Sequence, residues 1–294
     1  MSDRIIRALA YSGKVNIKCI DTTNLVEEAR KTHDLSPLAT AALGRLLTMG
    51  CLMGSDIKEK DDTITLQIKS DGPIGQMNVV VDSKLNAKGY VQNPSVDLPL
   101  RADGKLDVGS AVGKNGMLYI IKDIGLKEPY VGLTPLVSGE IAEDFTSYYA
   151  KSEQIPTAIA LGVLVNKDGV VSAGGYKVQV MPDATDEDIA KLEEAVRSIK
   201  PISKLLEEKK SLEEIAEKVC GDDKILTLVS DLVPEYHCDC SKERMERGLI
   251  SLGKDEIEDI INKDKKVEIV CKFCNKKYNF TEEELRKIEQ ECTR

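Results

Sequence analysis

Cys238-Asp239-Cys240 and, 30 residues further on, Cys271-Lys272-Phe273-Cys274 stand near the C-terminal end of this 294-residue chain. Four thiols in two doublets suit Zn²⁺, which takes four soft ligands at about 2.3 Å and commonly uses a CxxC half in structural sites. Cys238, Cys240, Cys271 and Cys274 are therefore the candidate metal ligands. Asn275 follows the second doublet, where a metal knuckle turns sharply and a residue tolerant of positive φ is wanted. Lys272, Lys276 and Lys277 surround the same turn and offset the charge of a four-thiolate centre, while Tyr278 and Phe280 are placed to pack beneath it. Thr281-Glu282-Glu283-Glu284 reads as a capping box that opens a final helix. The sum is a small metal-nucleated module over residues 232–294.

Two uses of the thiols stay open on spacing alone. One is a permanent structural metal. The other is a redox role, because CxC is less usual than CxxC and two thiols two residues apart can form a strained, labile disulfide. His237 abuts Cys238, but four sulfurs already complete the shell, so a surface place beside the centre is expected for it.

The rest of the chain bounds the class. Its length allows a sizeable core and two or three units. No signal peptide and no apolar run near 18 residues are read, which leads to the expectation of a soluble, cytoplasmic protein. Eight cysteines then suggest metal or redox use in a reducing compartment. Cys51 lies in an apolar stretch and reads as core; Cys19, Cys220 and Cys292 receive no role. The net charge of −9 disfavours nucleic acid as a partner. Residues 231–294 carry 13 basic against 16 acidic side chains, which leaves no broad phosphate-binding face.

From the N-terminus, residues 4–22 read as two strands joined across Ser12-Gly13. Ser36-Pro37 supplies a cap and a first-turn proline for a central apolar helix to about Met53. Strands are expected at 63–70, 76–82, 86–92, 116–122, 132–137, 158–165 and 170–180, with a helix over 139–151. The pattern predicts an α+β core over residues 1–182, mostly antiparallel sheet packed with helices, and argues against a doubly wound nucleotide fold.

Residues 183–231 change character. Two amphipathic helices are expected, at 185–200 and from the Ser211-Leu212-Glu213-Glu214 capping box to Gly221. Residues 184–230 hold 12 acidic and 8 basic side chains, so such helices have little apolar surface and need a neighbour. This is a charged helical linker, either an ordinary connector or an order–disorder element beside an oxidisable site.

Enzyme motifs are thin. Gly109-Ser110-Ala111-Val112-Gly113-Lys114 resembles a phosphate loop but is one residue short, and Asn115 stands where Ser or Thr would hold Mg²⁺; it reads as a turn. His33 and His237 are the only histidines, and His33 reads as a surface residue. Two other classes compete. A CxxC oxidoreductase needs a thioredoxin-like setting, and a constitutive zinc-stabilised nucleic-acid module needs a basic surface.

Several longer stretches carry a resemblance. They are Leu43–Gly50 (LGRLLTMG), Ile68–Gly75 (IKSDGPIG), Gly89–Pro94 (GYVQNP), Glu128–Gly132 (EPYVG), Leu136–Glu143 (LVSGEIAE) and Ser152–Pro156 (SEQIP), together with the two cysteine doublets. Over essentially its full length the chain resembles the thirty-three-kilodalton heat-shock protein family of redox-regulated bacterial holdases. The resemblance implies a non-enzymatic chaperone for unfolded or misfolded client proteins under oxidative stress, with client binding and homodimerisation in the core and no nucleic-acid or membrane partner. It also implies one Zn²⁺ per reduced chain on Cys238, Cys240, Cys271 and Cys274. Oxidation would then pair Cys238 with Cys240 and Cys271 with Cys274, release zinc and unfold the C-terminal domain and linker.

Overall fold

The computed structural model describes residues 2–292. The chain divides into two compact units, Met1–His237 and Cys238–Arg294.

In the first unit the order is β1 (Arg4–Ala10), β2 (Val15–Asp21), α1 (Thr23–His33), α2 (Pro37–Gly54), β3 (Thr63–Ser70), β4 (Met77–Asp82), β5 (Asn86–Val91), α3 (Val108–Val112), β6 (Gly116–Asp123), β7 (Tyr130–Pro135) and α4 (Ala142–Tyr148). A π-turn at Tyr149–Glu153 leads to β8 (Thr157–Asn166), β9 (Gly169–Val180), α5 (Asp186–Ser198), α6 (Ile202–Glu207), α7 (Leu212–Cys220), β10 (Leu226–Val229) and β11 (Glu235–Tyr236). Two sheets result, β10-β1-β2-β9-β8 and β11-β5-β4-β3-β6-β7. All their ladders are antiparallel except the short β11–β5 pair. The α+β expectation holds.

Helix α2 explains how the two sheets share one core. Ser36 Oγ accepts from the Ala39 amide (3.1 Å) and Pro37 fills the first turn, as the sequence indicates. Sixteen of its eighteen residues are buried. A helix apolar on every side must be enclosed, and α2 packs on β8 and β9 on one side and on β3, β4 and β5 on the other. A Cβ at Gly50 would meet Val81 Cγ2 at 2.8 Å, so glycine there sets the close approach of helix to sheet. By length and composition α2 could cross a membrane, contrary to the reading that no apolar run comes near that length; here it is 89% buried inside the protein. Thr40, Arg45 and Thr48 interrupt its apolar run in the sequence without stopping the helix.

The opposite face of the β10-β1-β2-β9-β8 sheet is covered by the segment read as a linker. Leu192, Ile202, Leu205, Leu212, Ile215 and Val219 join Ile6, Ile17, Cys19, Tyr176 and Val178 in one apolar cluster. Three helices stand there rather than two, because α6 follows Pro201 directly, and β10 adds an edge strand to β1. Packing thus runs unbroken through 183–231, and the division between units comes at His237–Cys238. Helix α3 also forms where a turn was read, with Asp107 accepting from the Ser110 amide.

Helix α1 is tied to β9 through Glu27. Its carboxylate accepts from Arg30 Nε and Nη2 (2.8 Å each) and from the Val170 amide (3.0 Å). The Arg30 bonds, with the Val170 amide, hold the acid down at about 2. A lowered carboxyl pKa stabilises the fold above the unfolded value and loses that effect as pH falls through the folded one. Replacing Glu27 by Gln is expected to lower unfolding free energy by about 1–2 kcal/mol at pH 7, after allowance for partial exposure. The gap between variant and wild type should close as pH falls from 4.5 toward 2. Denaturant unfolding at pH 7 and pH 3 checks this, and a gap independent of pH would contradict it.

The second unit holds α8 (Lys242–Ile250), α9 (Lys254–Lys263), β12 (Lys266–Val270), β13 (Lys277–Thr281) and α10 (Glu282–Glu291). Its core is small: Leu249, Ile257, Ile261, Tyr278, Phe280, Leu285, Ile288 and one cysteine, Cys271.

Candidate metal centre

Strands β12 and β13 pair antiparallel, Val270 opposite Lys277, and the chain reverses between them through the CxxC segment. The Cys271 amide donates to Lys276 O (3.0 Å), and the Asn275 amide donates to Cys271 O (2.8 Å). Asn275 has φ 58°, the left-handed conformation expected of it. This turn presents Cys271 and Cys274 on one side. The Cys238–Cys240 segment comes to the same place just before α8, whose start is capped by Ser241 accepting from the Arg244 amide.

All four sulfurs lie within 4.8 Å of one another. Ligands on a tetrahedral ion at about 2.3 Å stand about 3.8 Å apart. Cys238 and Cys271 are 3.7 Å apart at sulfur, which matches that edge, and Cys240 and Cys274 are 3.3 Å apart, somewhat shorter than it; both pairs join the two halves of the unit. Four thiols at this spacing are a donor set for a metal that favours sulfur.

The surroundings differ from ligand to ligand. The Tyr278 hydroxyl donates to Cys240 Sγ (3.1 Å) and to Cys240 O (2.9 Å). Burial raises the Cys240 thiol, but Tyr278 and the neighbouring thiols outweigh it and bring it down to about 7. Burial pushes Cys238 and Cys274 up. Lys276 Nζ sits 5.3 Å from the Tyr278 ring centre, and Lys277 pairs with Glu268 at 3.0 Å. Tyr278 and Phe280 are buried as expected, yet the hydrogen bond from Tyr278 to sulfur was not readable from its position. The Thr281 capping box forms.

The two histidines stand apart from the thiols in role. His237 is exposed, and its amide donates to Ala87 O (2.9 Å). His33 is not a surface residue: it is half-buried, with Nε2 2.9 Å from the Tyr236 hydroxyl, which itself donates to Gly89 O at 2.8 Å. The two partners are 203 residues apart, so no local pattern signals the contact. Cys19, Cys51 and Cys220 are buried in the first unit, and Cys292 lies partly buried with Sγ 3.6 Å from Ile250 O.

Comparison with known proteins agrees with this architecture. The family model described as "Hsp33 protein" matches residues 3–281. A "33 kDa chaperonin" of Acetivibrio thermocellus is 53% identical over 289 residues, covering 98% of this chain and 97% of its own. One of the same name from Clostridium beijerinckii is 46% identical, covering 98% of each. The crystal structure of the 33 kDa chaperonin (heat shock protein 33 homolog) of Thermotoga maritima superposes with a TM-score of 0.88 at 40% identity over 98% of both chains. With the family model spanning nearly the whole chain and relatives matching end to end, the chain belongs to the Hsp33 family.

Proposed function

We propose that the chain is a redox-regulated holdase, inactive when reduced and zinc-bound. The observation that carries this is the convergence of four thiols from two separate segments within 4.8 Å, in a unit with few other buried side chains. Zinc bound by Cys238, Cys240, Cys271 and Cys274 supplies the cross-link that such a small core lacks. The thiolates are also its weak point, since peroxide oxidises them. Formation of each disulfide from two thiolates gives two electrons to one peroxide, which takes up two protons from solvent and leaves as two waters. Two peroxides thus consume all four sulfurs, Cys238 with Cys240 and Cys271 with Cys274, and no thiolate remains to hold a metal.

The covering helices would carry the change to the first unit. Helix α5 buries only Leu192, and α6 and α7 are short, so none is stable alone. We infer that unfolding of residues 238–292 lets 183–231 leave the sheet. The face bearing Ile6, Ile17, Tyr176 and Val178 then becomes available to unfolded or misfolded client proteins. Clients are held, not turned over, and no catalytic residue is assigned. The homodimeric active state, the cytoplasmic location and the absence of nucleic-acid or membrane partners come with the family reading; the acidic charge balance and the burial of α2 support the last two.

Aggregation of a thermally unfolding client tests the proposal. Reduced, zinc-loaded protein should leave it unchanged and peroxide-treated protein should suppress it. A Cys271→Ser chain that still switched on and off with oxidant like wild type would sink the idea. A finer prediction concerns Tyr278: its Phe variant should retain zinc about tenfold less well, since partners of ligating groups commonly contribute 10–100-fold. Competition with a chromogenic chelator measures this, and unchanged retention would show that the hydroxyl does not act on the centre.

A further inference from the structure

Three cations stand in one row across the β10-β1-β2-β9-β8 sheet. Arg7 on β1 is opposite Lys18 on β2, and Lys18 is opposite Lys177 on β9, so all three side chains leave the same face. Like charges directly opposite one another destabilise a sheet unless something offsets them. The lysines are not solvated: their side chains are only 5% and 2% exposed.

One carboxylate serves both. Asp56, two residues beyond α2, accepts from Lys18 Nζ and from Lys177 Nζ (2.7 Å). Lys18 Nζ also donates to Ser55 Oγ at 2.7 Å, which leaves one of its three protons. Arg7 donates through Nε to Asn16 Oδ1 (3.0 Å) and has no acidic partner among the described residues. Burial lowers the Lys18 ammonium to about 8 in spite of Asp56. Three positive charges therefore meet one negative charge beside a protein interior, where unpaired charge is costly.

A cavity of about 190 Å³ opens on this row. Arg7, Lys18, Ser55 and Ser230 supply its polar lining; Leu228 and Leu232 are among its apolar walls. Leu228, opposite Arg7 on β10, is 42% exposed. The space is below the size of ordinary cofactor pockets, which start near about 300 Å³, so a nucleotide does not fit. We propose that this cavity binds a small oxyanion bearing a short alkyl group, an aliphatic carboxylate, with Lys18 and Arg7 holding the carboxylate. Its alkyl group lies against Leu228 and Leu232, so occupancy fastens β10 to β1. None of the four switch cysteines lines the site.

The test uses the full-length, reduced, zinc-loaded chain titrated with butyrate, inorganic phosphate and, at matched ionic strength, chloride. Amide NMR shifts at Arg7, Lys18 and residues 228–232 are the readout. Butyrate should saturate, more tightly than phosphate, while chloride should not. Lys18→Met should weaken butyrate by about tenfold, the scale of a lost charge-assisted contact. Asp56→Asn should instead tighten it, because the built-in carboxylate competes for the same ammonium groups. Should Lys18→Met not fold, the exposed Arg7→Gln should also weaken butyrate. Absence of saturation, phosphate binding tighter than butyrate, an unchanged affinity in folded Lys18→Met, or weaker binding in Asp56→Asn would overturn the proposal.

Discussion

Chelation of the metal from the fully reduced chain is expected to melt residues 238–292 while Met1–His237 keeps its two-sheet core. The reason is the size of the two cores. Among its described residues the second unit buries seven apolar or aromatic side chains besides Cys271, and a domain below about 70 residues rarely gains more than about 3–5 kcal/mol from such a core. Bound zinc contributes on the order of 10–16 kcal/mol in small modules of this kind. Without it the balance favours unfolding. The first unit depends on no such ion, since α2 alone buries sixteen residues between two sheets. Limited proteolysis with and without chelator under reducing conditions reads this directly: cleavage should spread through 238–292 and into the covering segment 183–231, and spare residues 2–182. Protection of the second unit after complete metal removal would show that its core folds without a metal.

The second large effect is expected from Ile215→Asp. Ile215 is fully buried on α7 against the sheet, and the apolar face of α7 is made by Leu212, Ile215, Ala216 and Val219. A carboxylate there has no partner, and burying it unpaired costs several kcal/mol. A nine-residue helix flanked by the short α6 and by β10 has little to set against that cost. The helix should leave the sheet even with zinc bound. Reduced, zinc-loaded Ile215→Asp should then suppress client aggregation without any oxidant, while a surface control such as Glu193→Gln should not. If the variant retained zinc, lost α7 protection in hydrogen exchange and still failed to suppress aggregation, the covered face would not be the client surface.

Much of this architecture is legible in particular residues. Ser36-Pro37 and the apolar run behind it give α2, and Asn275 with the CxxC gives the knuckle, because caps and tight turns depend on their own residues. Other elements depend on register or on distant partners. Leu226-Thr227-Leu228-Val229 is too short to read as a strand beside charged helices, and it becomes β10 only because β1 offers an open edge. Helices α8 and α9 have a signal in Ser241 and in Ile257, Ile260 and Ile261, but each has too few apolar positions to stand out. Arg7, Lys18 and Lys177 each look like an ordinary outward position on a strand. Only the pairing of three strands places them side by side.

Pairing within the cysteine doublets has its own check, since close sulfur contacts of 3.7 and 3.3 Å run between the doublets. Peptide mapping of the oxidised chain should find Cys238–Cys240 and Cys271–Cys274.

The measurement that bears most directly on the central claim tracks zinc release and client-aggregation suppression in one sample during peroxide treatment at elevated temperature. Suppression is expected to be absent at the start, to grow as zinc leaves, and to reverse when reductant and zinc are restored. Complete release of zinc with aggregation unaffected would contradict it and leave the four cysteines a structural centre only.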